Sequence, residues 1–301
     1  MSRTPAVSRP VLALVLAAAC WGTGTVLSKQ AVAEVPPLAL LPSQLAVSVA
    51  FLGAIALRRR ERPPGGREGR LLGRLGLLNP GLAYALSLLG LTQVSASLSV
   101  LLWAAEPVLI LVLAVLLLRE RPRPALVALS GVAIGGLAIV LWDPAASGAV
   151  PGILLTLAGV GCCAMYTIAT RRWLPDADST LGVLFAQQAY ALGFAIVLAV
   201  VAAAAGVVIM PKALTPAGVA STVASGLVYY GLAYWAYLTG LRHVPASVAA
   251  MSFYLIPVFG VAVAAAFGDR LAAVQWAGAM VVVVAVAAIS LRTASAQPPA
   301  V

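Results

Sequence analysis

Apolar residues in this chain come in continuous runs of about 20, without the period of 3.6 of a surface helix or the alternation of a half-buried strand. The runs cover 11–33, 38–57, 72–91, 95–118, 124–142, 151–173, 180–206, 215–240, 246–267 and 272–291. Short polar or proline-bearing stretches interrupt them, among them Pro36-Pro37, Asp143-Pro144, Pro175 and Pro211. A helix needs about 20 apolar residues to cross the hydrocarbon core, and a barrel strand would alternate apolar and polar positions instead. The pattern predicts an all-α polytopic membrane protein with ten transmembrane helices.

The chain also repeats itself. At an offset of 150, Gly90, Leu91, Val94, Ala96, Ser97, Pro107 and Val108 meet Gly240, Leu241, Val244, Ala246, Ser247, Pro257 and Val258, and Tyr84 meets Tyr234. At an offset of 142, Cys20, Thr25 and Lys29 meet Cys162, Thr167 and Arg171. Tyrosine, glycine, serine and proline carry the match, because alanine, leucine and valine are too common here to count. Each copy holds five runs. Five is odd, so the second copy enters the membrane from the opposite side, giving a 5+5 inverted-topology repeat. The expected organisation is a tail at 1–10, a first five-helix repeat at 11–145, a second at 146–292 and a disordered tail at 293–301.

Composition agrees with a lipid solvent. Of 301 residues, 62% are hydrophobic and 9% charged, against roughly 25% charged in a soluble domain. The net charge of +10 sits in loops. Sixteen lysines and arginines fall on the N-terminal side of the predicted topology, and Lys29, Lys212 and Arg270 fall on the other. That asymmetry predicts a multi-pass cell (inner) membrane protein with both termini cytoplasmic. A nucleic-acid role needs basic residues interleaved with stacking aromatics on a soluble face, and the sequence has no such region. The first run extends to Ala33, well past a signal-peptide core of about 7–15 residues, so it reads as a retained span. Cys20, Cys162 and Cys163 lie inside apolar runs and imply neither a disulfide framework nor a metal site.

Several motifs taken in order resemble the EamA-type transporters of the drug/metabolite transporter superfamily. They are Trp21-Gly22 followed by Lys29, Ala96-Ser97 leading to Glu106-Pro107, and Leu118-Arg119-Glu120 closing the first copy. The second copy supplies Ala246-Ser247, Pro257 and Gly268-Asp269. The resemblance implies ten helices around a central cavity and transport of small molecules, often export of amino acids or related metabolites. The copies also differ: Cys163-Ala164 stands where the first has Trp-Gly, and Ile256 answers Glu106.

Glu106 is the one acid well inside an apolar run. A charge at mid-bilayer costs on the order of 2.5–3.5 kcal/mol on insertion scales, so it faces protein or a wet cavity. It either carries a coupling proton or meets a substrate amine, or it caps a helix broken around Pro107. Pro107 and Pro257 are candidate hinges beside a substrate path. Lys29 is a candidate contact for a substrate carboxylate, the alternative being snorkelling to the interface. Ser97 and Ser247 suit close helix packing. Trp21, Trp103, Tyr166, Tyr234, Phe253 and Tyr254 are candidate cavity linings with apolar faces and polar handles. His243 reads as a solvated loop residue. Gly131 and Gly135 allow close packing within a chain or in a homodimer.

The leading expectation is a secondary transporter exporting a small metabolite by alternating access. Its partners are a small-molecule substrate, lipid and, through Glu106, protons, with no cofactor or metal. No phosphate-cradling loop is present to make ATP the direct driver. The alternative is efflux of drugs or lipophilic cations. An intramembrane enzyme would need a nucleophile–base pair or paired acids at membrane depth, and the sequence offers neither.

Overall fold

Backbone inside lipid must satisfy its own hydrogen bonds, and among the described residues this chain does so with helices alone. The computed structural model describes residues 9–91, 93, 102–103, 105–122, 124–140, 149–207, 214–266 and short pieces between 277 and 285. Four helices are long and apolar enough to cross a membrane: α1 (Arg9–Val32), α2 (Pro37–Arg59), α7 (Val150–Trp173) and α8 (Thr180–Ala204). Twenty-four residues give a rod of about 36 Å, enough for a core of about 30 Å. Leu16, Val112, Leu116, Val197 and Val200 are among the large apolar side chains turned outward.

The third run of each copy is a broken helix. In the first copy α3 (Gly66–Gly76) passes through a π-helical segment, Leu77–Leu82, into α4 (Ala83–Leu91). In the second, α9 (Pro216–Ser225) passes through a π-helical segment, Gly226–Leu232, into α10 (Ala233–Leu241). In the first break Asn79 is extended, at φ −148 and ψ 124, a conformation the following Pro80 favours by clashing with the helical one. Helix α3 begins at 66, earlier than the apolar run at 72, because its first turns are amphipathic. Leu72, Gly73 and Gly76 face inward while Arg67, Arg70 and Arg74 face out.

The next elements are α5 (Glu106–Leu118) and α6 (Pro124–Val140) in the first copy. The second copy has α11 (Ala246–Ala250), a 3₁₀ segment Met251–Tyr254 and α12 (Leu255–Ala266). Gly131 and Gly135 stand exposed on α6. Ser97, Gly268, Asp269, most of the predicted span 272–291 and the start of 95–118 lie outside the described residues.

The two copies pack reciprocally. Helix α1 packs on α9, the second π segment, α10 and α12, while its counterpart α7 packs on α3, the first π segment, α4 and α5. Helix α2 lies against α9 and the second π segment, α8 lies against α3 and the first, and α2 and α8 pack on each other. Glycine permits the closest of these approaches. A Cβ on Gly76 would run into the Gln187 carbonyl, and one on Gly226 would fall 2.8 Å from the Gln44 carbonyl oxygen. Among the described residues most of the long-helix packing runs between the copies. Each is completed by the other.

Carboxylates fasten the helix ends. Glu34, after α1, accepts from the Thr215 backbone N–H at 2.8 Å and hydroxyl at 2.7 Å, ahead of α9. At the opposite end of the bundle Glu61, after α2, takes the hydroxyl of Ser179, which caps α8 by accepting from the Gly182 N–H at 2.7 Å. Glu120, after α5, accepts from the backbone N–H groups of Ala246 and Ser247 at 2.8 and 3.2 Å and from the Ser247 hydroxyl at 2.6 Å. In all three cases an acid of the first copy holds a helix start of the second, where backbone N–H groups lack partners and the dipole favours negative charge.

Candidate functional site

Where the copies meet, aromatic rings form a continuous chain. Phe253 of the 3₁₀ segment touches Tyr237 of α10 at a centroid distance of 5.0 Å, and both touch Trp21 of α1, at 5.5 and 5.3 Å. Trp21 meets Tyr234 edge-on at 5.2 Å. Tyr234 lies 6.4 Å from both Tyr166 of α7 and Tyr230, the latter stacked. The chain continues through Tyr229 to Tyr84 of α4 and ends at Trp103, 6.0 Å from Tyr84. The Trp21-Gly22 pair explains its own inner end. A Cβ on Gly22 would sit 2.6 Å from the Gly260 backbone nitrogen, so only glycine brings α1 close enough to α12 for Trp21 to reach Phe253.

Hydroxyls along this chain are tied to buried amides and to one another. Tyr234 donates to Asn79 Oδ1 at 3.1 Å and Tyr166 to Gln187 Oε1 at 2.8 Å. The Tyr84 and Tyr229 hydroxyls share a hydrogen bond of 2.9 Å, and those of Thr167 and Tyr237 one of 3.2 Å. Gln187 donates to the Leu72 carbonyl at 3.0 Å and Gln188 to the Tyr230 carbonyl at 3.4 Å. Not every polar atom here is paired: Trp21 is 6% exposed, and among the described residues its Nε1 has no hydrogen-bond partner, nor has Gln188 Oε1. Buried donors are almost always paired, which sets this indole apart from the tyrosine hydroxyls tied to amides around it.

Glu106 opens α5 with Pro107 beside it. Its carboxyl group therefore stands at a helix N-terminus, near Cys163, Tyr229 and Tyr237. Both prolines lie in the first turn of a new helical segment, Pro107 in α5 and Pro257 in α12 after the 3₁₀ turn. Proline is tolerated in the first turn of a helix because the N–H it lacks is one that turn leaves unbonded.

The structure thus gathers Trp21, Trp103, Tyr166, Tyr234 and Phe253 along one seam. Tyr254 is fully buried but makes no ring contact with that chain among the described residues, and lies toward Ser130 of α6. Ser247 acts chiefly through Glu120 at a helix end. The side chain of Lys29 lies outside the described residues. Sequence reasoning passed over Asn79 and Gln187, used Glu120 and Tyr84 only as motif and repeat markers, and gave Tyr229 no role. The signal for the amides was present: Gln44 and Gln187 stand at one offset in apolar runs, as do Phe51 and Phe194.

Lipid-length helices around a seam shared by two interlocked copies define a multi-pass membrane protein built by internal duplication. The chain belongs to the EamA-like transporter family, which it matches over residues 8–142 and again over 150–291, and so is a membrane transporter of the drug/metabolite transporter superfamily. A crystal structure 22% identical in sequence superposes with a TM-score of 0.76, covering 95% of this chain and 97% of that one, which shows a shared fold. Comparison with curated proteins returned no match.

Proposed function

We propose that this chain is a secondary active transporter exporting a small metabolite, such as an amino acid, by alternating access along the seam between its copies. The observation that carries the reading is the ring chain with Glu106 at one flank and an unpartnered Trp21 N–H within it. Such a seam offers flat apolar faces, a donor for a substrate carboxylate or carbonyl, and an acid for an amine or a proton. The reading includes ten helices in a 5+5 inverted repeat, divided at 11–145 and 146–292, with both termini in the cytoplasm of a cell membrane. Reciprocal packing supports it, since two similar copies of opposite orientation can exchange conformations. The basic side of the sequence supports the orientation. In this scheme Trp21, Trp103, Tyr166, Tyr234 and Phe253 line the path, Lys29 meets a carboxylate, and Pro107 and Pro257 mark the bending points.

Proteoliposomes loaded with labelled amino acids, with and without a pH gradient, test the reading. Saturable efflux driven by the gradient is expected, and Glu106→Gln should abolish gradient-driven accumulation while leaving substrate exchange. Unchanged pH dependence in that variant would reject proton coupling through Glu106. The rings also favour a second reading, efflux of lipophilic cations, because aromatic faces attract cations. Inhibition by quaternary amines and not by amino acids would select it.

A further inference from the structure

One charged surface is not used by transport along the seam. Between α2 and α3 the segment 58–74 carries Arg58, Arg59, Arg60, Arg62, Arg67, Arg70 and Arg74 against only two acids, Glu61 and Glu68. Glu61 is engaged by Ser179, and all seven arginines are exposed. Arg59 lies over the Trp235 ring, 5.2 Å from its centroid. The other six guanidinium groups make no hydrogen bond or ion pair among the described residues. At 100° per residue, Arg67, Arg70 and Arg74 fall within a stripe of roughly 60° on α3. Leu57, Leu71 and Leu77, exposed at 81, 41 and 39%, lie among or beside them.

We propose that this cluster is a docking surface for the phosphate headgroups of anionic phospholipids. Its position is the first argument, because it joins the ends of two membrane-directed helices and so lies at headgroup depth. Its chemistry is the second. Guanidinium matches phosphate oxygens two at a time, and exposed leucines beside a basic stripe fit the boundary between headgroup and acyl chain. Four to eight basic residues next to a spanning helix bind anionic lipid, at roughly fivefold in affinity per residue. The segment has no aromatic residue on which a nucleic acid would stack. The surface is also one-sided. The matching loop of the second copy, 205–215, has Lys212 as its only basic residue, so the repeat did not require this charge. Anionic lipid held here grips the start of α3 from outside, while Gln187 holds the Leu72 carbonyl from within.

The test is native mass spectrometry of the full-length protein, released from neutral detergent after titration with phosphatidylglycerol, phosphatidylcholine or soluble glycerol phosphate. Preference for phosphatidylglycerol over phosphatidylcholine by tenfold or more is expected, weakening as ammonium acetate is raised. The combined variant Arg67→Gln, Arg70→Gln and Arg74→Gln should remove most of it. The matching lysine variant should keep part, because charge remains and paired geometry is lost. Arg121→Gln with Arg172→Gln, two exposed arginines elsewhere at the same end of the bundle, should change the preference by less than twofold. Unchanged elution and melting of every variant in phosphatidylcholine serve as the check on folding. An unaltered preference in the glutamine variant overturns the proposal, as does an equal loss in the control variant. Full displacement of the lipid by glycerol phosphate at matched concentration also overturns it, marking a site for free phosphate instead.

Discussion

Trp21 poses the sharpest question at the scale of single residues. Leaving a buried donor without a partner costs about 1–3 kcal/mol, and tryptophan is not needed for the packing alone, since phenylalanine supplies a ring without the N–H. Trp21→Phe should therefore melt at the same temperature as the parent or higher, while the KM for transport rises several-fold. A lower melting temperature with an unchanged KM would show that the indole serves packing. Glu106 differs in that its place at the start of α5 already gives it a structural role as a cap, which is why only a pH-dependent readout separates coupling from capping. Charged and aromatic residues stood out in the sequence because lipid makes them expensive or conspicuous. Asn79 and Gln187 did not, because an amide in an apolar run is neutral and its worth depends on whether its hydrogen bonds are met across the copies, here by Tyr234 and the Leu72 carbonyl, 155 and 115 residues away.

At the scale of elements, helix starts are the weak points that this fold protects. Glu120→Ala removes three hydrogen bonds from the start of α11 and should cost about 1–2 kcal/mol, the range for a lost cap. Ser247→Ala, which keeps the two backbone contacts, should cost less, and denaturant titration in micelles ranks the two. Glu34 adds a pH signature. Hydrogen bonds from the Thr215 N–H, then from its hydroxyl, hold the Glu34 carboxyl below the usual range. Its stabilising contribution is thus complete above the unfolded value of about 4.3 and disappears as pH falls through the lower folded value. The melting difference between the parent and Glu34→Gln should be present at pH 7 and close toward the acid end. A difference independent of pH would assign it to the shape of the loop. The long unbroken runs were legible from apolar length alone, and α1, α2, α7 and α8 begin and end close to the sequence boundaries. The π segments were not. The second occurs without proline, and only the alignment of Gly76, Gly81 and Tyr84 with Gly226, Gly231 and Tyr234 hints at it.

The whole molecule is a pair of copies that cannot be separated without exposing the seam. Under the proposed alternating access the fastened ends must release one side at a time, so cross-linking either end should stop the cycle. In a chain with Cys20, Cys162 and Cys163 replaced, Glu120→Cys with Ser247→Cys should lose transport on oxidation and regain it on reduction. Transport that survives complete cross-linking would remove that end from the gate. The duplication was legible from residues at a constant offset, whereas the reciprocal packing was not, since sequence matches say which parts correspond and nothing about which parts touch. The carboxylate ties carry a further meaning for how the chain is made. Glu34, Glu61 and Glu120 precede their partners by 181, 118 and 126 residues. At about 5–20 residues per second of synthesis, each acid waits roughly 6–40 s at the membrane surface for the helix it will hold. A ribosome that stalls in the second copy therefore leaves behind an unfinished first half, with its inner faces open to quality-control proteases.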